Sequence, residues 1–203
     1  MQKIKSAIQK TLQYSNKLIV SPDIDGFLSA ELLSRKNSAI EVVGTYDKNI
    51  LSLADGIDPK ECLFVDCDMN TKEYVSIGNH MRFRDDNIAD LSFNPNSFQK
   101  VLKYSSKFPY ATCFLIAVGI DVLTNENDHI RMGYADSTYL NNLNYTDNMR
   151  YWSNVLPHAS VSAILSNDLY DKIEKYKADI DGKQALVSRR LGLAKYMMQM
   201  VNS

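Results

Sequence analysis

Three short runs, KLIVS (17–21), AIEVVGTY (39–46) and CLFVD (62–66), are apolar almost without interruption, and the first and third end at or just before aspartates. A strand with one wet face alternates apolar and polar residues. A short run without alternation reads instead as a strand buried on both faces. Segments of helical character separate these runs. Ile4, Ile8 and Leu12 stand at helical spacing within 2–15, residues 27–35 read as a helix, and ILSLADGID (50–58) reads as a short helix ended by Gly56. EYVSIGNHM (73–81) starts as a strand and ends in a polar turn, and RFRDDNIADLSFNPN (82–96) is loop-like. Residues 97–123 read as two helices broken at Pro109, and HIRMGYAD (129–136) as a last short strand ending in Asp136. The remainder, 147–203, is mostly helical with breaks near Pro157 and Gly182. The expected architecture is α/β: a parallel sheet covered by helices on both faces over 1–146, with a helical C-terminal extension, 147–203, packed on it.

Parallel sheets of this kind bind ligands at the carboxyl ends of their strands. Acidic residues collect there: Asp23 and Asp25 after the first strand, Asp66 and Asp68 after the third, Asp136 after the last. Like charges held close in a crevice repel and need compensation, which a divalent cation supplies. Carboxylate oxygens with an occasional imidazole suit manganese or magnesium. An aspartate at a strand-to-helix junction is also a common N-cap, and Asp25 or Ser21 would fill that role for a helix from 27. Aspartates gathered after separate strands favour a site.

The bulk numbers exclude several classes. A net charge of −1 leaves no global basic field for nucleic acid, although a local patch stays open. The three cysteines, Cys62, Cys67 and Cys113, form no CxxC pair, which argues against a disulfide framework or a zinc ribbon. No apolar run reaches bilayer length, and the basic, amphipathic N-terminus lacks a signal-peptide core, so a soluble, cytoplasmic protein without membrane contact is expected. There is no P-loop and no GxGxxG, and Ser21 has no base in a pattern that would make it a nucleophile. His129 reads as solvated and His158 as structural. NYTDNMRYW (144–152) could stack a base, but reads better as an aromatic anchor around Trp152.

The order of these pieces resembles the DHH phosphoesterase superfamily, which includes RecJ-like exonucleases, short-RNA nucleases, cyclic-dinucleotide phosphodiesterases and manganese pyrophosphatases. IVSPDIDGFLSAELL is similar to its first motif, LFVDCD to its second, SIGNHM stands where Asp-His-His belongs, and IRMGYADSTYL resembles the fourth. The resemblance covers roughly residues 17–140. It implies one metal held by Asp25, Asp66, His80 and Asp136, and a second, weaker one on Asp23 and Asp66, with Asp23, Asp66 and His80 in the catalytic roles. It implies a manganese- or magnesium-dependent hydrolase of a phosphodiester in a nucleotide or single-stranded nucleic acid. The departures are specific. Ser21 replaces the first-motif histidine. The triplet becomes Asn79-His80-Met81 or, shifted by one, Gly78-Asn79-His80. No Gly-Gly-Gly-His substrate motif follows. These departures favour an alternative, a DHH-like binding or assembly module without catalysis. The C-terminal cations Lys172, Lys175, Lys177, Lys183, Arg189, Arg190 and Lys195 could approach a phosphate backbone, and read otherwise as a solvated helix face. Leu186, Leu191, Leu193, Met197 and Met198 form an apolar stripe that closes the core or pairs two copies into a homo-oligomer.

Overall fold

A computed structural model of the chain describes residues 2–81, 88–98, 103–166, 168–181 and 183. Its centre is a five-stranded sheet in the order β3-β2-β1-β4-β5. The strands are β1 (Lys17–Val20), β2 (Glu41–Tyr46), β3 (Leu51–Leu53), β4 (Leu63–Val65) and β5 (Val75–Ile77). β1 runs parallel to β2 and β4, and β4 parallel to β5; β3 alone pairs antiparallel, with β2. The register sets Val20 beside Val65 and Val65 beside Ile77. The three strands therefore end level, and whatever follows each of them emerges at one edge.

Alternate residues of a strand face opposite sides of a sheet. Leu18, Val20, Leu63, Val65, Val75 and Ile77 belong to the main core. Over them lie α1 (Gln2–Leu12), α2 (Ile24–Lys36) and α3 (Thr112–Ile120). α3, TCFLIAVGI, is apolar all round and buried along eight of its nine residues, as a helix packed between two others must be. The same core continues through α4 (Glu126–Tyr134), α5 (Thr138–Asn144), α6 (Thr146–Val155) and α7 (Ala159–Leu165), and on to Leu169 and Ile173. Trp152 is buried there, edge-on to Phe108 at 5.1 Å, as the anchor reading of its segment expects.

Four expectations change. The segment 50–58 is not a helix: it begins with β3, because the Asp47 carboxylate accepts from the backbone N–H of Asn49 and Ile50, and Lys48 takes a left-handed φ of 77°. That turn folds β3 back onto β2 as a hairpin. The segment 129–136 is not a strand but part of α4, which a capping box of Asn125 and Asp128 initiates. Of the two helices expected in 97–123, the described residues show α3; before it they carry two short 3-10 turns, Pro95–Phe98 and Tyr104–Ser106, and 99–102 lie outside them. Among the described residues, helical cover is found on one face of the sheet rather than both. The second face holds Ile19, Val43, Cys62, Phe64 and Cys67 against Tyr46, Leu53, Ile57, Met69 and Tyr74, and none of these belongs to an α-helix. The stripe from Leu186 to Met198 lies outside the described residues. Among the described residues no helix is long and apolar enough to cross a membrane.

Candidate metal centre

β2 and β4 leave β1 in opposite directions across the sheet, so the order reverses between β1 and β4. Open α/β sheets form a crevice at such a point, beyond the carboxyl ends of the strands. Ser21 follows β1 there, Asp66 follows β4, and the segment Gly78–Met81 follows β5. Asp136 reaches the same crevice from the kink between α4 and α5. One ligand atom from each of Asp66, His80 and Asp136 lies within 4.8 Å of those of the other two.

Each member of this trio is held. Asp66 has φ 58° and Asp136 φ 50°, in the left-handed region that non-glycine residues seldom enter, so both carboxylates are aimed by backbone that the fold keeps under strain. Thr112 Oγ1 donates to Asp66 Oδ1 at 2.7 Å, and Ser21 Oγ lies 2.7 Å from Asp66 Oδ2. Asn79 Nδ2 donates to Asp136 Oδ2 at 2.7 Å and to the Tyr110 carbonyl at 2.9 Å. His80 Nδ1 stands 3.0 Å from Asp68 Oδ2, which also accepts from the His80 backbone N–H at 2.9 Å. That contact orients the ring, and in its neutral form leaves Nε2 with the lone pair. A Cβ on Gly78 would meet Asp68 Oδ2 at 2.3 Å, so glycine is what lets the segment after β5 lie against that carboxylate.

A further layer comes from 93–96, a stretch that the sequence reads as a turn with the option of bordering the crevice. Asn94 Nδ2 donates to Asp68 Oδ1 at 2.6 Å and to the His80 carbonyl at 2.9 Å, while Asn96 Nδ2 donates to the Asn79 carbonyl at 2.7 Å. Asn96 Oδ1 in turn accepts the Phe108 N–H at 2.6 Å. Asp68, Asn94 and Asn96 were not among the expected site residues. Asp68 was visible as an acid two residues past Asp66; the asparagines were visible only as a turn that could border the crevice.

Asp25 and Asp23 are placed differently from expectation. Asp25 is buried, and its two oxygens accept the backbone N–H of Thr112 at 2.7 Å and of Cys113 at 2.8 Å. It satisfies the first amides of α3, beside the trio rather than within it. Asp23 is the N-cap of α2, accepting from Gly26 N at 3.1 Å, the role the sequence left to Asp25 or Ser21. Gly26 is needed for close approach rather than for turning freedom, since a Cβ there would meet the Ser21 carbonyl oxygen at 2.4 Å. His129 meets Thr124 at 2.9 Å and His158 caps α7, both away from the trio.

The electrostatics are those of uncompensated negative charge. Burial, then Asp66 and Asp136, push Asp25 well above the usual carboxylate range. Burial likewise raises Asp66 to about 6, against the pull of His80. The hydrogen bond to Asp68 raises His80. Among the described residues no lysine or arginine nitrogen comes within 4.0 Å of Asp25, Asp66 or Asp136. Two details fit a site that takes a cation. Ser21 Oγ lies 2.8 Å from Asp23 Oδ1 as well as 2.7 Å from Asp66 Oδ2, and its single proton serves only one of them. Asn79 Oδ1 is buried with no hydrogen-bond partner. Two carboxylates and an imidazole form a donor set that suits manganese or magnesium.

A cleft of about 400 Å³ opens onto this group, lined in part by Ser21, Tyr46, Lys48, Asp66, Asp68 and His80. No family model, no curated protein and no solved structure matches the chain.

Proposed function

We propose that the protein is a divalent-metal-dependent phosphoesterase, a divergent member of the DHH superfamily, acting on a phosphodiester of a nucleotide or nucleic acid. The observation that carries this reading is the trio Asp66, His80 and Asp136, gathered from three separate chain segments at the carboxyl edge of the sheet, with their ligand atoms within 4.8 Å. Asp66, His80 and Asp136 hold a single manganese or magnesium ion. When bound, that ion supplies a Lewis acid for a phosphate oxygen and a means of ionising water at neutral pH. The chain's own groups do the rest. Thr112 and Ser21 fix the Asp66 carboxylate, Asn79 fixes Asp136, and Asp68 keeps the His80 ring turned to the site. Asp23, 2.8 Å from Ser21 Oγ, stands at the cleft wall, where it can position a water.

One observation favours a second reading, a cation-dependent binding module without turnover. The second metal implied by the family resemblance has no ligand set of its own here, because Asp23 is engaged as a helix cap and Ser21 stands in place of a histidine. Calorimetry with manganese on the wild type, His80→Ala and Asp136→Asn, followed by turnover of bis(p-nitrophenyl) phosphate, separates the readings. Binding and turnover lost together in both variants support the hydrolase. Binding without turnover supports the module, and no binding returns the aspartates to structural roles.

A further inference from the structure

The two edges of the sheet end differently. Beyond β5 the chain closes the edge itself: Phe93 N–H donates to the Ser76 carbonyl at 2.8 Å, and Gly78 N–H to the Phe93 carbonyl at 3.1 Å. Beyond β3 no strand of the described residues pairs. The Ile50 carbonyl accepts from Asp47 N–H at 3.3 Å, Ser52 stands opposite Thr45, and Ala54 N–H donates to the Val43 carbonyl at 2.9 Å. Antiparallel ladders alternate, so the N–H and C=O of Leu51 and Leu53 point away from β2. A row of such groups is a template for another strand. Leu51–Leu53 carries none of the usual guards, no proline, bulge or charged side chain, and Ile50 is 64% and Leu51 39% exposed. Among the described residues Lys48, at one end of the strand, has no carboxylate within 4.0 Å, and Asp55, at the other, no cation, whereas Lys5, Lys17, Lys60 and Lys172 are all paired.

We propose that the free edge of β3 is the contact between two copies of this chain, paired antiparallel about a two-fold axis at Ser52, so that two five-stranded sheets become one. The partner is a second copy because the edge is complementary to itself. Turned about Ser52, Leu51 of each copy meets Leu53 of the other, and their outward N–H and C=O groups exchange four hydrogen bonds. Ile50, largely in water in the single chain, is set opposite Ala54. The same turn brings Lys48 of each copy to the Asp55 end of the other, so the two charges left unpaired in one chain answer those of its mate. An axis one residue earlier, at Leu51, would set Asp47 against Asp55, like charge against like. The contact is short and buries less than a standard stable interface, so the dimer is a weak one, with a Kd of roughly 10 μM. The hairpin also supplies Tyr46, Asp47 and Lys48 to the cleft at the metal centre, so the interface adjoins that cleft without drawing on Asp66, His80 or Asp136. The proposal stands apart from the phosphoesterase reading.

Sedimentation of the full chain from about 1 to about 200 μM is expected to show a monomer passing into a dimer. Ser52→Cys tests the register. Ser52 is exposed and meets its own copy as a non-hydrogen-bonded pair, with Cα atoms about 4.5 Å apart, within reach of a disulfide. Mild oxidation is expected to cross-link this variant as a dimer, while the wild type, whose Cys62, Cys67 and Cys113 are buried, stays uncross-linked. Leu51→Pro removes an outward N–H and spares the ladder to β2, so it weakens the dimer by at least about tenfold with an unchanged far-ultraviolet spectrum. Lys48→Glu and Asp55→Lys each weaken it by about fivefold, and the two together restore it. A chain still monomeric at about 200 μM overturns the proposal. So does a dimer that survives Leu51→Pro and both single charge reversals and gives no Ser52→Cys cross-link, since its contact then lies on another surface. If Leu51→Pro does not fold, the charge exchange and the cross-link decide by themselves.

Discussion

The two ends of α2 carry acidic clusters of opposite character. At its N-terminal end Asp25, Asp66 and Asp136 face one another with no lysine or arginine among the described residues within 4.0 Å, and the pKa values of Asp25 and Asp66 are raised. Near its C-terminal end Arg35 grips Asp128 with both nitrogens, at 2.8 and 2.7 Å, and also reaches Glu31 at 2.6 Å. Arg131 closes the group on Glu31 at 2.7 Å. Arg131 holds Glu31, and Arg35 holds Asp128, below the ordinary carboxylate range. The same residue types thus stabilise the fold at one end and oppose it at the other, and the difference is whether a cation is built into the chain. The arginine cluster ties α2 to α4. The trio lacks its counter-charge, which is the condition under which carboxylates take up a metal.

The comparison breaks first at Asp66. Asp66→Asn lowers manganese affinity by at least roughly 100-fold, since a ligand and half the local charge go together. The same change stabilises the metal-free protein by about 1 kcal/mol, because it removes a buried, repelled charge while the amide can donate to Ser21 Oγ. Calorimetry and urea unfolding with and without manganese check both halves, and a metal-free protein made less stable would contradict the account. At the other end Arg35→Ala destabilises by about 2 kcal/mol at neutral pH, leaving the buried Asp128 with the α4 cap and the more distant charge of Arg131. The depressed Asp128 pKa sets the pH course. Its stabilisation is fully present above the unfolded carboxylate value of about 4 and is lost as the pH falls through the lower folded value. Unfolding curves for Arg35→Ala and wild type therefore converge in acid.

Smaller effects sharpen the contrast. Asp68→Asn lowers manganese affinity by roughly tenfold, because the Asp68 carboxylate reaches the metal site through the His80 ring. Its effect should vanish when His80→Ala is already present, which a double-mutant calorimetric cycle would reveal. Asp23→Asn keeps an N-cap oxygen and changes stability by less than about 0.5 kcal/mol. Manganese affinity near wild type in that variant marks Asp23 as a cap and wall; a large loss would return it to the ligand set.

The amino-acid sequence by itself determined the α/β layering, the strand positions β1, β2, β4 and β5, and the acidic edge, because unbroken apolar runs have one stable use and aspartates at their ends have few. It also pointed to Asp66, His80 and Asp136 through family-like spacing. It did not determine that the stretch up to Tyr134 is helical, since the Asn125–Asp128 capping box that starts the helix lies upstream of it, nor that β3 doubles back, since the Asp47 turn carries no glycine at its left-handed position. Only the tertiary structure decided which carboxylates converge. Asp25 is drawn off by the amides of α3, about ninety residues away in sequence, and Asp68 is brought to His80 by the asparagines of 93–96. Those choices depend on where unsatisfied backbone and side-chain donors of distant segments come to rest, which local pattern does not encode.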